Sequence, residues 1–110
     1  MLSTAYSILG LTERLMEVEF RDKTLALVET DRATETRLPL SVINSLRQKL
    51  VVLRAAPDER TLRNWKSLHY EKMEGDERSI RLNKQFRLIF TIETTCSPNK
   101  MKVLRVWNHD

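Results

Sequence analysis

Cysteine is nearly missing from this 110-residue chain, glycine and proline are scarce, and long apolar runs are absent. The single cysteine, Cys96, excludes an intramolecular disulfide and any metal centre built on a cysteine cluster, as expected of a chain kept in a reducing compartment. Two glycines and three prolines exclude fibrous, linker-like and low-complexity chains. The longest apolar stretches, such as Leu50 to Leu53, fall far short of the roughly 20 residues that a membrane span requires. The opening "MLSTAYSILGLTERL" lacks the basic start of a secretory signal and carries Glu13 and Arg14 where a small-residue cleavage site would stand. A cytoplasmic protein with no membrane partner is expected.

What is present is a hydrophobic share of 41%, enough for one domain with a modest core. The net charge of +4 is unevenly spread. Residues 1 to 59 hold eight Lys/Arg against nine Asp/Glu, whereas residues 60 to 110 hold eleven against six. The cationic half is the second half, and a sequence pI near 9.5 meets the first requirement for a nucleic-acid binder.

Periodicity supplies the elements. "MEVEF" alternates Met16, Val18 and Phe20 against Glu17 and Glu19 and predicts a half-buried strand. In "RDKTLALVETD", Leu25 and Val28 lie three apart on a short first helix. In "RLPLSVINSLRQKLVVLRAAPD", Leu40, Ile43, Leu46, Leu50 and Leu53 recur at three and four, with Pro39 suited to a first helical position, or Ser41 to an N-cap, and Pro57 just past the end. From Asn64 the period changes to two: Leu68 and Tyr70 alternate with Ser67, His69 and Glu71, and Gly75 with Asp76 marks a turn. A hairpin, the loop "TTCSPNK" and a last strand "MKVLRVWN" follow. This order predicts an α+β fold, with two helices on one face of a twisted, mostly antiparallel sheet. The domain is expected to run from 16 to 110, with residues 1 to 15 an N-terminal extension or a short helix.

The hairpin "SIRLNKQFRLIF" carries Arg81, Lys84 and Arg87 at an even spacing of three. A three-residue loop of Asn83, Lys84 and Gln85 sets Leu82 against Phe86, Arg81 against Arg87 and Ile80 against Leu88, so that the apolar pairs share one face. A two-residue loop would mix core and charge on both faces. The longer loop is therefore expected, with Asn83 tolerating a left-handed conformation. It leaves two guanidinium groups opposed on the solvent face, a repulsion of up to about 1 kcal/mol that folding does not require. A bound phosphate would reverse its sign, and so would carboxylates such as Glu71 or Glu93 on neighbouring strands. Lys84, at the loop tip, suits a phosphate contact or a solvated charge.

His69 is expected on the face opposite Leu68 and Tyr70, and His109 with Arg105 on the face opposite Leu104 and Val106. Two imidazoles beside two guanidiniums suit metal-free cleavage of RNA by its own 2′-hydroxyl. Trp65, Tyr70 and Trp107 could stack on bases, although aromatics at strand spacing are more often core, and Tyr70 is taken as core. Cys96, in a loop, is taken as incidental.

The stretch "SLHYEKMEGDERSIRLNKQFRLIF" resembles the core of HigB-type toxins of the RelE/ParE superfamily. "EFRDKTLALVET" resembles their N-terminal Phe-Arg-Asp-Lys segment, and "VWNHD" lies where they end in Asp-Tyr-His. The resemblance implies a RelE-like fold and a ribosome-dependent endoribonuclease that cuts mRNA in the ribosomal A site without a metal or other cofactor. It implies a HigA-type helix-turn-helix antitoxin as partner, with operator DNA reached only through that antitoxin. Carried across, the active-site histidines fall on His69 and His109, the strand arginines on Arg81 and Arg87 and the lysine on Lys72, which makes His69, Arg81, Arg87 and His109 the catalytic set; Lys72 joins Arg78, Lys84, Arg105, Trp107 and Asn108 as candidate RNA-binding residues. The family's Asp-Tyr is Trp107-Asn108 here, so the tyrosine's role passes to Trp107 by stacking, to Asn108 by a hydrogen bond, or to neither. Two other readings stand beside this one: a ParE-like poison of DNA gyrase, which needs no acid–base pair, and a non-catalytic basic RNA-binding module.

Overall fold

A computed structural model of the chain describes residues 16–95 and 99–108. The sequence expectations for residues 1 to 15, Cys96 and His109 lie outside the described residues. Five strands form one sheet: β1 (Glu17–Phe20), β2 (Glu71–Lys72), β3 (Arg78–Arg81), β4 (Phe86–Glu93) and β5 (Lys100–Asn108), in the spatial order β1-β5-β4-β3-β2. β1 runs parallel to β5, and the other neighbours are antiparallel. The α+β architecture is the expected one.

The main helix, α1 (Leu40–Ala55), buries Val42, Ile43, Leu46, Leu50 and Leu53. Against them stand Ile80, Leu88, Phe90, Met101 and Val103 from one face of the sheet. Complete burial of each such side chain contributes about 1.5–3 kcal/mol. Leu40 fits the stripe by spacing but is 69% exposed, because it occupies the first position of the helix, and Val42 takes its place. The Pro39 carbonyl accepts the first bonds, from Val42 N and Ile43 N at 3.0 Å each. The chain leaves at Ala56, one residue before Pro57.

The short first helix is not an α-helix. It is a 3₁₀ turn, Leu25–Glu29, followed by a second at Ala33–Thr36. With Leu25 and Val28 the buried positions, three apart, the 3.0-residue turn is the one that aims both inward. Arg47 of α1 locks this segment down, its Nε donating to the Val28 carbonyl at 2.6 Å and its Nη2 to that of Thr30 at 2.9 Å.

A second helix, α2 (Glu59–Asn64), is one that the periodicity does not announce. Its start is nonetheless written in the sequence: Asp58 is the N-cap, with Oδ1 accepting from Thr61 N and Thr61 Oγ1, both at 2.9 Å. Behind it, the expected strand at Leu68 to Tyr70 is a 3₁₀ turn, Lys66–Leu68, ending in a left-handed His69 (φ 49°, ψ 52°). Leu68 is buried and Tyr70 half-buried, so a turn has produced the same inward pattern as a strand.

Candidate nucleic-acid interface

The hairpin register is the expected one: Arg81 opposes Arg87, Ile80 opposes Leu88, and Leu82 N donates to the Phe86 carbonyl at 2.9 Å. Asn83 does not close the loop through a left-handed backbone. Its side-chain oxygen accepts from Gln85 N and Phe86 N, each at 2.8 Å, and so takes the place of a backbone turn.

β4 and β5 then extend the row. Arg87 opposes Trp107 and Ile89 opposes Arg105, whereas Phe90 opposes Val103, so Leu104 is an extra residue, a β-bulge. The bulge brings Val103 and Val106, three apart, onto the core face with Phe90 and Leu88. That corrects the expected pairing of Leu104 with Val106. Arg105 and Trp107 keep to the other face, with Arg87 and Ile89. There, Arg81, Arg87 and Trp107 form one row across three strands, and Glu71, Ser79, Ile89 and Arg105 form the next.

The two opposed guanidiniums are not equivalent. Arg81 is exposed. Arg87 is only 7% exposed, its Nε donating to Ser79 Oγ at 2.9 Å and its Nη2 to the His69 carbonyl at 2.5 Å, with Glu71 Oε1 at 3.1 Å from Nη2. Glu71 is thus the carboxylate that answers the repulsion, and Ser79 is a partner that no sequence pattern flagged. Glu71 itself is largely exposed, so the pair with Arg87 is half-screened by water.

The remaining positions are dispersed. Trp107 is 42% exposed on the row of Arg87, while Asn108 falls opposite Phe86, at the parity of the helix-covered face. Lys84 is exposed at the loop tip and Lys72 is exposed on the edge strand, opposite Arg78 rather than Arg87. Arg105 pairs with Glu77 through Nη2 at 2.9 Å and Nη1 at 3.2 Å. This contact holds the Glu77 carboxyl below its usual range.

Arg78 lies on the helix side. Its Nε donates to Glu59 Oε2 at 2.7 Å and lies 3.1 Å from the Tyr70 hydroxyl, while its Nη1 donates to the Asp76 carbonyl at 2.6 Å. The Tyr70 hydroxyl donates to the same Glu59 oxygen. Burial works to raise the Glu59 pKa, but the bonds from Arg78 and Tyr70 outweigh it and hold the carboxyl below its usual value. Burial, and then the Glu59 contact, push the Tyr70 phenol up to about 12. The cluster staples the first turn of α2 to β3, and Tyr70 meets Phe90 in a tilted ring contact at 6.4 Å.

One face of the five-stranded α+β sheet thus bears cations and an exposed indole, and comparison with known proteins decides the family. Residues 18–102 match the model of the HigB-like toxins, described as the RelE-like toxin of type II toxin–antitoxin system HigB. The chain belongs to this family. The toxin is 41% identical over 78 residues to Toxin HigB-1 of Vibrio cholerae, covering 68% of this chain and 82% of that protein. Its fold is similar to that of a YoeB/ParE toxin from Agrobacterium tumefaciens, with a TM-score of 0.50 at 11% identity over 86% of this chain and 100% of the other. It is therefore a HigB toxin of a type II toxin–antitoxin system, with an antitoxin as partner. Among the described residues, no helix is long and apolar enough to cross a membrane.

Proposed function

We propose that the toxin is a ribosome-dependent endoribonuclease that cuts mRNA in the ribosomal A site, and that a HigA-type helix-turn-helix protein neutralises it. The observation that carries this reading is the row Arg81–Arg87–Trp107 on the face of the sheet opposite the α1 core, with the His69 backbone bonded to its central member. Cations within a row suit a phosphodiester, and an exposed indole beside them suits a base.

The step needs no more than side chains. A general base draws the proton from a 2′-hydroxyl, and the oxygen attacks the adjacent phosphorus. Charge that builds on the phosphorane meets the positive potential of Arg81 and Arg87, of which Arg81 is the one exposed for contact. A general acid protonates the departing 5′ oxygen, leaving a 2′,3′-cyclic phosphate and a 5′-hydroxyl. His69 and His109 take the acid and base roles, each contributing roughly 10²–10⁴-fold.

The test is induction of the toxin in a bacterium, with mRNA 5′ ends mapped under active and blocked translation. Cuts confined to translated messages, abolished by His69→Ala, are expected. DNA damage without cuts would replace this reading with a gyrase poison, and salt-sensitive RNA binding without cuts would replace it with a binding module. Truncation of His109 and Asp110 tests the second imidazole separately: if the shortened toxin still cuts mRNA, that histidine has no catalytic role.

A further inference from the structure

We propose that Arg87 is a positioning residue for His69: braced by Ser79 and Glu71, its guanidinium pins the carbonyl of the left-handed turn that aims the imidazole. The inference rests on the nuclease reading above and assigns Arg87 a part in it that proximity to phosphate alone does not.

The backbone at His69 is strained, since a residue with a Cβ rarely adopts φ 49°. Such conformations persist where the surroundings over-determine them, and they cluster at functional sites. Here the restraints are visible on both sides of the residue. On the N-terminal side, Leu68 is buried, and His69 N donates to the Lys66 carbonyl at 3.1 Å. On the C-terminal side, the His69 carbonyl accepts from Arg87 Nη2 at 2.5 Å. The donor is itself fixed. The Oγ of Ser79, which has no exposed surface, accepts from Nε at 2.9 Å, and Glu71, aligned with Ser79 across β2 and β3, approaches Nη2 at 3.1 Å. Two strands thus converge on a guanidinium carried by a third, and the guanidinium on one peptide carbonyl.

A planar fork is needed for this, because two donors of one rigid group must reach a hydroxyl and a carbonyl in different directions. Lysine at 87 would keep the charge and lose the bracket. If Arg87 acted by gripping the phosphate, as exposed Arg81 is placed to do, charge would be the property that mattered.

The experiment compares Arg87→Lys, Ser79→Ala and Arg81→Lys in the full-length toxin. Steady-state cleavage of mRNA on programmed ribosomes gives kcat and KM, and NMR of the free toxin gives the backbone and ring resonances of His69. For Arg87→Lys, kcat should fall on the order of 10²-fold with KM within about twofold of wild type, the signature of a misaimed group rather than a lost contact. Ser79→Ala should follow in the same direction, with the His69 resonances displaced in both and unmoved in Arg81→Lys. A rise in KM with kcat intact, or His69 resonances unchanged in Arg87→Lys, would overturn the proposal. Should Arg87→Lys fail to fold, Ser79→Ala alone decides by the same two readouts. If the wild-type toxin cuts no mRNA, the nuclease reading falls, while the NMR comparison still decides whether Arg87 sets the turn.

Discussion

Replacing each arginine of the cross-strand pair by alanine should have unequal consequences for stability. Arg87 is buried and supplies donors to Ser79 Oγ and to the His69 carbonyl. Its removal leaves both acceptors without their partner, at about 1–3 kcal/mol for each unsatisfied group. The Glu71 contact adds little, because that carboxylate is mostly in water. Water entering the vacated space will recover part of the loss, so a net destabilisation of about 2–4 kcal/mol is expected for Arg87→Ala. At about 4–8 °C per kcal/mol for a domain of this size, Tm should drop by at least 8 °C or so. Arg81→Ala removes an exposed side chain and a like-charge neighbour, so it should stay within about 0.5 kcal/mol of wild type or gain slightly, the gain fading in salt. Urea unfolding followed by the fluorescence of Trp65 and Trp107 measures both. Equal losses in the two variants, or an Arg87→Ala midpoint indistinguishable from wild type, would refute the assignment of Arg87 to a buried bracket.

His69→Gly should relieve the left-handed turn, leaving stability unchanged or raised by up to about 1 kcal/mol in urea while mRNA cleavage in cells is lost. Trp107→Ala should weaken RNA binding by roughly 1–3 kcal/mol in a fluorescence titration, and more than Asn108→Ala does, because only Trp107 shares the face of Arg87. The Glu59 pKa is depressed in the folded state, so its contribution to stability is present above the ordinary carboxylate range and is lost as pH falls through the folded value. Tyr70, raised from 10.0 to about 12, contributes below pH 10 and loses that contribution as pH rises from there towards 12. Unfolding midpoints across pH should therefore fall at both ends in the wild type, and Glu59→Gln should flatten the acid limb.

The fold was legible wherever one face of an element had to be apolar along its whole length. The hairpin register followed because a one-residue slip would have put Arg87 against Ile80, and the structure keeps Ile80 against Leu88. Periodicity said less at element ends. Leu40 fits the stripe of α1 by spacing, but the helix begins there and the position faces water. A period of two is also ambiguous over a few residues, and the 3₁₀ turn with a left-handed His69 buries Leu68 and partly buries Tyr70 as a strand would. The bulge at Leu104 was hidden for a related reason, since inserting one residue between Val103 and Arg105 leaves the alternation of Arg105, Val106 and Trp107 intact.

At the site, parity along the chain told which residues share a face but not which of them are bonded to one another. Arg81 and Arg87 are indistinguishable by alternation, and what separates them is β2, a two-residue strand whose pairing sets Glu71 beside Ser79. So short a strand carries no period of its own, and its register comes from the tertiary fold. Arg78 shows the same limit from the other face. Sequence groups it with the RNA-binding cations, yet its partner Glu59 belongs to a helix announced only by Asp58 and Thr61. Both cases argue that a basic stretch in this fold divides by depth. Between Glu71 and Glu93, the cations whose partners come from other strands and helices, Arg78 and Arg87, build the frame, and the exposed ones, Lys72, Arg81 and Lys84, are those we propose to meet a polyanion.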